Sequence, residues 1–188
     1  MSDIFVDNIK HQSSQGSGTI TLGASGETIT TASGAKFSEI TGQNYPAFEA
    51  RLTADQTISN ATYTTVNAGV EILDTDNAYD TSTYKFTPQV AGKYFYYAQI
   101  RFRGTVVNNL NNLILRLLKN DTSTTVKAAT MYAGSNDEQF MMHVSGIVDM
   151  NGSTDNIFYQ GYASISSGSP YFEQGGNATS FGAYRIGA

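Results

Sequence analysis

The sequence predicts an all-β protein, a jelly-roll β-sandwich preceded by a short extended segment, and three observations carry that prediction. From Tyr45 onward apolar residues alternate with polar ones, the period of a strand with one buried face. Clusters of Gly, Asn, Asp and Ser recur between these runs, as in NAYDTST, KNDTST, NGSTDN and SSGSPYFEQGGN, and such residues form turns. No run keeps a helical period over the length of a helix. NNLILRLLKN comes nearest, but it is short and bounded by turn residues, which favours a strand. Many short strands without helices close into a sandwich or jelly roll.

Strands are expected in order over 47–53, 63–72, 84–87, 93–103, 113–119, 125–132, 139–150, 156–163 and 179–186. The fourth, within GKYFYYAQIRF, is unusual because both of its faces are apolar. A strand on a sandwich surface shows water a polar face, so something must cover the second one.

Residues 1–43 differ in texture. They are rich in Gly, Ser and Thr and hold a repeat of eight residues, TITLGASG, ETITTASG and AKFSEITG. Each unit ends in Gly and carries an apolar residue near its start: Ile20 and Leu22, then Ile29, then Phe37. One unit buries too little to stand alone, whereas stacked or interwound units share a core. The segment reads as a shaft or attachment segment in preference to a flexible linker, and 46–188 as the head domain.

Composition narrows the function. Hydrophobic residues make up 40% of the 188, charged residues only 14%, and the net charge is −5. An acidic chain without a Lys/Arg block is not built for a nucleic-acid backbone or an anionic membrane. No segment has the roughly 18 apolar residues of a membrane span. There is no cysteine, hence no disulfide framework or thiolate metal site. Of two histidines, His11 lies in the N-terminal segment and His143 in a strand, with no partner at metal-ligand spacing. Neither a nucleophile elbow nor a phosphate loop occurs. No enzymatic activity and no cofactor are expected.

Two weaker signals remain. Asp74, Asp76 and Asp80 lie close together in DTDNAYD and could offer hard oxygens to calcium. The run lacks the glycine and closing glutamate of an EF-hand loop, so turn capping is the favoured reading. Tyr171 and Phe172 sit between glycines outside any clear strand. They read equally as a surface binding loop or as packing.

The head resembles the complement C-one-q globular head, a jelly roll related to tumour necrosis factor, over roughly residues 46–188. The resemblance rests on Pro46-Ala47-Phe48-Glu49-Ala50, on Asn77-Ala78-Tyr79-Asp80, and on Phe86, Pro88, Gly92, Tyr94 and Tyr96. Later matches are Leu118-Lys119-Asn120, Val144 to Val148 with Met150, and Ser180-Phe181, Tyr184 and Ile186-Gly187. Three positions depart from the family pattern: Tyr84 and Asp121 stand where Gly is usual, and Ala183 replaces a small Gly. The NGSTDNI turn is also longer than the family's. The phrase GETITTASGAKF resembles N-terminal segments of bacteriophage virion proteins.

The resemblance implies which face is which. It assigns Tyr94, Tyr96, Ala98, Ile100 and Phe102 to the core, and strand alternation then points Phe95 and Tyr97 outward. The same logic puts Phe140, Met142, Val144, Val148 and Met150 inside, and Met141, His143 and Ile147 outside. In the family both strands face a threefold axis, so the resemblance implies a homotrimer covering Phe95, Tyr97, Met141, His143 and Ile147. The whole then reads as a virion protein on the exterior of a phage particle, a short fibre or decoration. Its N-terminus would hold another virion protein. The alternative is a tail-fibre module that grips a host-surface glycan or receptor.

Overall fold

The computed structural model describes residues 46–107, 109–132 and 138–187, all within the unit Ile40–Ala188. The eight-residue repeat, with Ile20, Leu22, Ile29 and Phe37, lies outside the described residues, as does His11. The described strands are β1 (Ala47–Arg51), β2 (Gln56–Thr57), β3 (Thr64–Thr65), β4 (Val70–Asp74), β5 (Tyr79–Asp80), β6 (Lys85–Phe86), β7 (Ala91–Gly104), β8 (Leu110–Lys119), β9 (Thr125–Tyr132), β10 (Gln139–Asn151), β11 (Ile157–Ile165), β12 (Pro170–Phe172) and β13 (Ser180–Gly187).

They form two antiparallel sheets. One runs β2-β12-β7-β13-β1-β4, with β10 on the free side of β7. The other runs β5-β6-β11-β8-β9, with β3 added to β11. The long strand β7 is the spine of the first sheet, pairing with β10 from Ala91 to Arg103 and with β13 and β12 on its other side.

Alternation along β7 and β10 holds. Tyr94, Tyr96, Ala98, Ile100 and Phe102 are at most 1% exposed, and Met142, Val144, Val148 and Met150 at most 7%. Phe140 is partly buried and packs against the same core. The family-like aromatic positions meet there as one stack. Phe48 lies against Tyr79 at 4.8 Å and Phe86 at 4.3 Å, Phe86 reaches Tyr94 at 5.8 Å, and Phe181 closes on Phe48 and Tyr159 at 4.9 Å. Offset and edge-on aromatic pairs add roughly 0.5–1.5 kcal/mol each beyond their area. Two of the buried phenols reach backbone acceptors: Tyr79 donates to the Ala68 carbonyl at 2.9 Å and Tyr94 to that of Val90 at 2.7 Å. Burial pushes the Tyr94 hydroxyl up to about 12.

Three expectations need correction. The strand expected over 63–72 is two strands, β3 in one sheet and β4 in the other. Between them Val66 and Ala68 turn into the core, and the Gly69 N–H bonds back to the Asn67 carbonyl at 2.8 Å. That tight turn carries the chain across the sandwich. Second, β2, β5 and β12 are additional short pairings that two or three residues cannot announce by periodicity. Third, of the two readings left open for Phe172, a surface binding loop or packing, only packing fits. The residue is fully buried, edge-on to Phe102 at 5.5 Å.

The departures from the family pattern also have a local account. Tyr84 adopts φ 59°, the left-handed region where glycine is at ease. Just before Asp121, Asn120 at φ 66° takes the left-handed position of the turn, and Asp121 accepts from the N–H groups of Ser123 and Thr124, each at 2.8 Å. In the longer turn, the Asn151 side chain accepts from the N–H groups of Ser153, Thr154 and Asp155, each at 3.0 Å. Gly92 is required: at φ 145° a Cβ would stand 2.2 Å from the Gly187 carbonyl oxygen.

Candidate functional site

The outward face of the first sheet is where the expected site residues fall. Register places them in cross-strand rows. Ile147, Phe95 and Tyr184 are direct neighbours across β10, β7 and β13, and the row continues to Ala47 on β1. The Phe95 and Tyr184 rings meet at 5.5 Å. Ile147 is 57% exposed and Tyr184 38%, so this row is apolar and open. Ile186 and, on β4, Ile72 and Leu73 are further exposed apolar side chains of this sheet. Sequence reasoning quoted Tyr184 and Ile186 only as family matches and did not mark Ile72 or Leu73; it placed none of the four on the outward face. Tyr184 carries the alternation signal that singled out Phe95; Ile186 sits at a register shift between β13 and β7, and Ile72 and Leu73 at one between β1 and β4, where alternation gives no side.

The expected outward set does not form one patch. Tyr97 pairs with Ser145, His143 with Gln99, and Met141 with Arg101. Met141 is 53% exposed but lies six residues along β10 from Ile147, about 20 Å at the rise of a strand. Polar neighbours fill the interval.

Tyr97 is occupied within its own chain. A Cβ on Gly182 would lie 2.5 Å from its ring, so the phenol lies flat over that glycine on β13. Its hydroxyl bonds the Glu49 side chain on β1, and burial, followed by Glu49, pushes it above the ordinary tyrosine value. Phe95 thus has the open row and Tyr97 a covered one.

Toward the other end of β7 the same face becomes charged. Glu173 pairs with Arg101 and, at 2.9 Å, with Arg103. Arg101 also donates to the Gly175 carbonyl, and Arg51 to Asn177. Tyr171 stands between Arg103 on β7 and Thr57 on β2. The other end is closed by the exposed Lys93–Asp149 pair at 2.6 Å.

The aspartates serve turns. Asp74 accepts from the Ala78 N–H at 3.0 Å and the Tyr79 N–H at 2.8 Å. Asp80 accepts from the Ser82 N–H at 2.8 Å and from the Ser82 and Thr83 hydroxyls at 2.7 and 2.8 Å. These bonds hold its carboxyl down at about 2. Among the described residues no group of three His, Asp or Glu side chains is placed to hold a metal ion.

With the two sheets and this face described, known proteins can be set beside them. No family model matches the chain, and no curated protein matches it. Solved structures do. A crystal structure of murine APRIL at pH 5.0 superposes with a TM-score of 0.56 at 13% identity, covering 74% of this chain and 97% of that one. The Eiger TNF of S. frugiperda gives 0.53 at 10% identity, covering 74% of this chain and 89% of that one. The fold is a TNF-like jelly roll. At such identity the likeness concerns the fold alone.

Proposed function

We propose that this chain is a non-enzymatic structural virion protein of a bacteriophage, a homotrimer whose TNF-like heads associate through the outward face of the β7 sheet. Residues 1–43 attach it to another virion protein, and the head projects from the exterior of the particle as a short fibre or decoration. One observation carries the trimer: the open row of Ile147, Phe95 and Tyr184. Burying one large apolar side chain is worth roughly 1.5–3 kcal/mol, so leaving several together in water is unfavourable and promotes aggregation. A closed ring covers the row on every copy and leaves no open edge. The phage setting rests on the likeness of GETITTASGAKF to virion N-terminal segments.

The test pairs Phe95→Asp with Ile147→Asp. Both side chains point off the sandwich, so the variant should keep the wild-type far-UV spectrum and run as a monomer in light scattering, where the wild type runs as a trimer. A monomeric wild type, or a double variant that stays trimeric, would sink the reading. Removing 1–43 should leave a folded head that no longer enters particles; normal incorporation would exclude the attachment role.

A further inference from the structure

We infer that the cleft at the Gly104 end of β7 binds a neutral pyranose of a glycan. The cleft measures about 420 Å³ and is lined by Asp55, Thr57, Arg103, Thr105, Val107 and Tyr171. That volume falls within the roughly 300–1,000 Å³ of small-molecule sites. Register sets Tyr171 in its middle, between Arg103 and Thr57.

The chemistry around the ring is what a sugar needs. A tyrosine offers an apolar face for the C–H face of a pyranose and a polar edge for its hydroxyls. Exposed Val107 extends the apolar wall. Vicinal hydroxyls both donate and accept, so they require an acceptor and a donor at the rim. Asp55 supplies the acceptor; one of its oxygens is held by the Gln174 N–H at 2.7 Å, which fixes the carboxylate in place. Arg103 supplies the donor. It is anchored to Glu173 through Nη1 at 2.9 Å, and its guanidinium, with further N–H donors, lines the cleft.

Two other clefts lack this combination. In the one beside Asn77 and Asp80 the tyrosine is Tyr79, whose ring is buried and whose hydroxyl is spent on Ala68. The one between Leu52 and Tyr84 holds no cation. An acidic sugar is disfavoured because Asp55 lines the cleft and the whole chain carries −5. The cleft lies eight residues along β7 from Phe95, about 26 Å. It therefore stands or falls separately from the trimer.

The experiment titrates the full chain with the methyl glycosides of glucose, galactose and mannose, and with N-acetylneuraminic acid, following backbone amides by NMR. At least one neutral glycoside should give saturable shifts centred on Thr57, Arg103, Thr105 and Tyr171. Tyr171→Ala should weaken that binding about tenfold, while Tyr171→Phe, which keeps the platform, should retain most of it. Thr57→Phe, at an exposed position, should block the cleft with Tyr171 intact, and it decides the matter if Tyr171→Ala fails to fold. No saturable shift with any neutral glycoside, shifts centred elsewhere, or unchanged binding in Thr57→Phe would overturn the proposal. Tighter binding of the anionic sugar would overturn it too.

Discussion

On β7 the residues that face inward, Tyr94, Tyr96, Ala98, Ile100 and Phe102, are excluded from water, whereas Phe95, Tyr97, Gln99, Arg101 and Arg103 between them are half-buried. At the Gly92 end the two faces have nearly the same composition, aromatic on both sides. What separates them is cover. The inward rings meet a second sheet; outward, Tyr97 finds Gly182 and Glu49 on its own chain, while Phe95 and Tyr184 share an open row. Toward Gly104 the outward face changes to arginines held by Glu173. Apolar content therefore does not by itself identify a core; its partner does.

The strongest way to break this comparison is to cut the inward face. Phe102 is fully buried and meets Phe172 edge-on. Phe102→Ala should lower stability by roughly 3–5 kcal/mol, the range for large-to-small aromatic truncation in a packed core. Denaturant unfolding reads it directly. Ile147→Asp on the outward face, measured as a monomer, should change stability by no more than about 0.5 kcal/mol. Similar losses in both would erase the distinction between the faces.

Much of that distinction was legible beforehand, because a strict two-residue period along 93–103 and 139–150 needs only one anchored residue to assign every side chain. Tyr79, Phe86, Tyr94 and Phe181 stood out in the sequence as matches to the family pattern, but that they meet in one aromatic cluster is seen only in the fold. Three other things were not legible. Phe172 belongs to a three-residue strand, too short to show a period, and its burial depends on Phe102, seventy residues away. The flat pose of Tyr97 depends on Gly182 being opposite it, a matter of register between β7 and β13. Met141 and His143 share a face with Ile147, but pairing with Arg101 and Gln99 sets them in polar surroundings. Sequence patterns assign sides of a sheet; neighbours across strands are set by tertiary pairing.

The pose of Tyr97 can be sharpened next. Gly182→Ala would drive a methyl against the ring, and overpacking of this kind is worth roughly 1–3 kcal/mol of stability. The destabilisation should disappear when Tyr97→Ala is made alongside it, because the two sites are in contact and couple. A double-mutant cycle by chemical denaturation checks this. Purely additive losses would mean that the ring does not lie on Gly182.

Tyr84 should respond in the opposite direction and more weakly. Its φ of 59° carries a penalty of roughly 1–2 kcal/mol for a side chain that is not glycine. Its ring lines a cleft with Leu52 and Gly69, contacts that a glycine would give up. Tyr84→Gly should thus stabilise the head by a net ~0.5–1 kcal/mol, seen as a higher denaturant midpoint. Destabilisation would show that the ring's contacts outweigh backbone strain.

The smallest effect is expected at the turns, which neither face of β7 touches. Hydrogen bonds from Ser82 and Thr83 lower the Asp80 carboxyl from 3.8 to about 2, and those from Ser123 and Thr124 do the same for Asp121. A folded value below the unfolded one means that the unfolded chain takes up protons first as pH falls. The stabilisation is therefore complete above about pH 4 and is lost as pH falls through about 2. Both groups are fully exposed, so solvent screens them and the effect is small. Asp80→Asn with Asp121→Asn keeps an acceptor oxygen in each turn but removes the titration. Between about pH 5 and pH 2 the urea midpoint of the wild type should drop further than that of the double variant. The other carboxylates titrate in both proteins, so the difference in slope isolates these two turns. Parallel pH dependences would mean that the turns hold their shape without the charge.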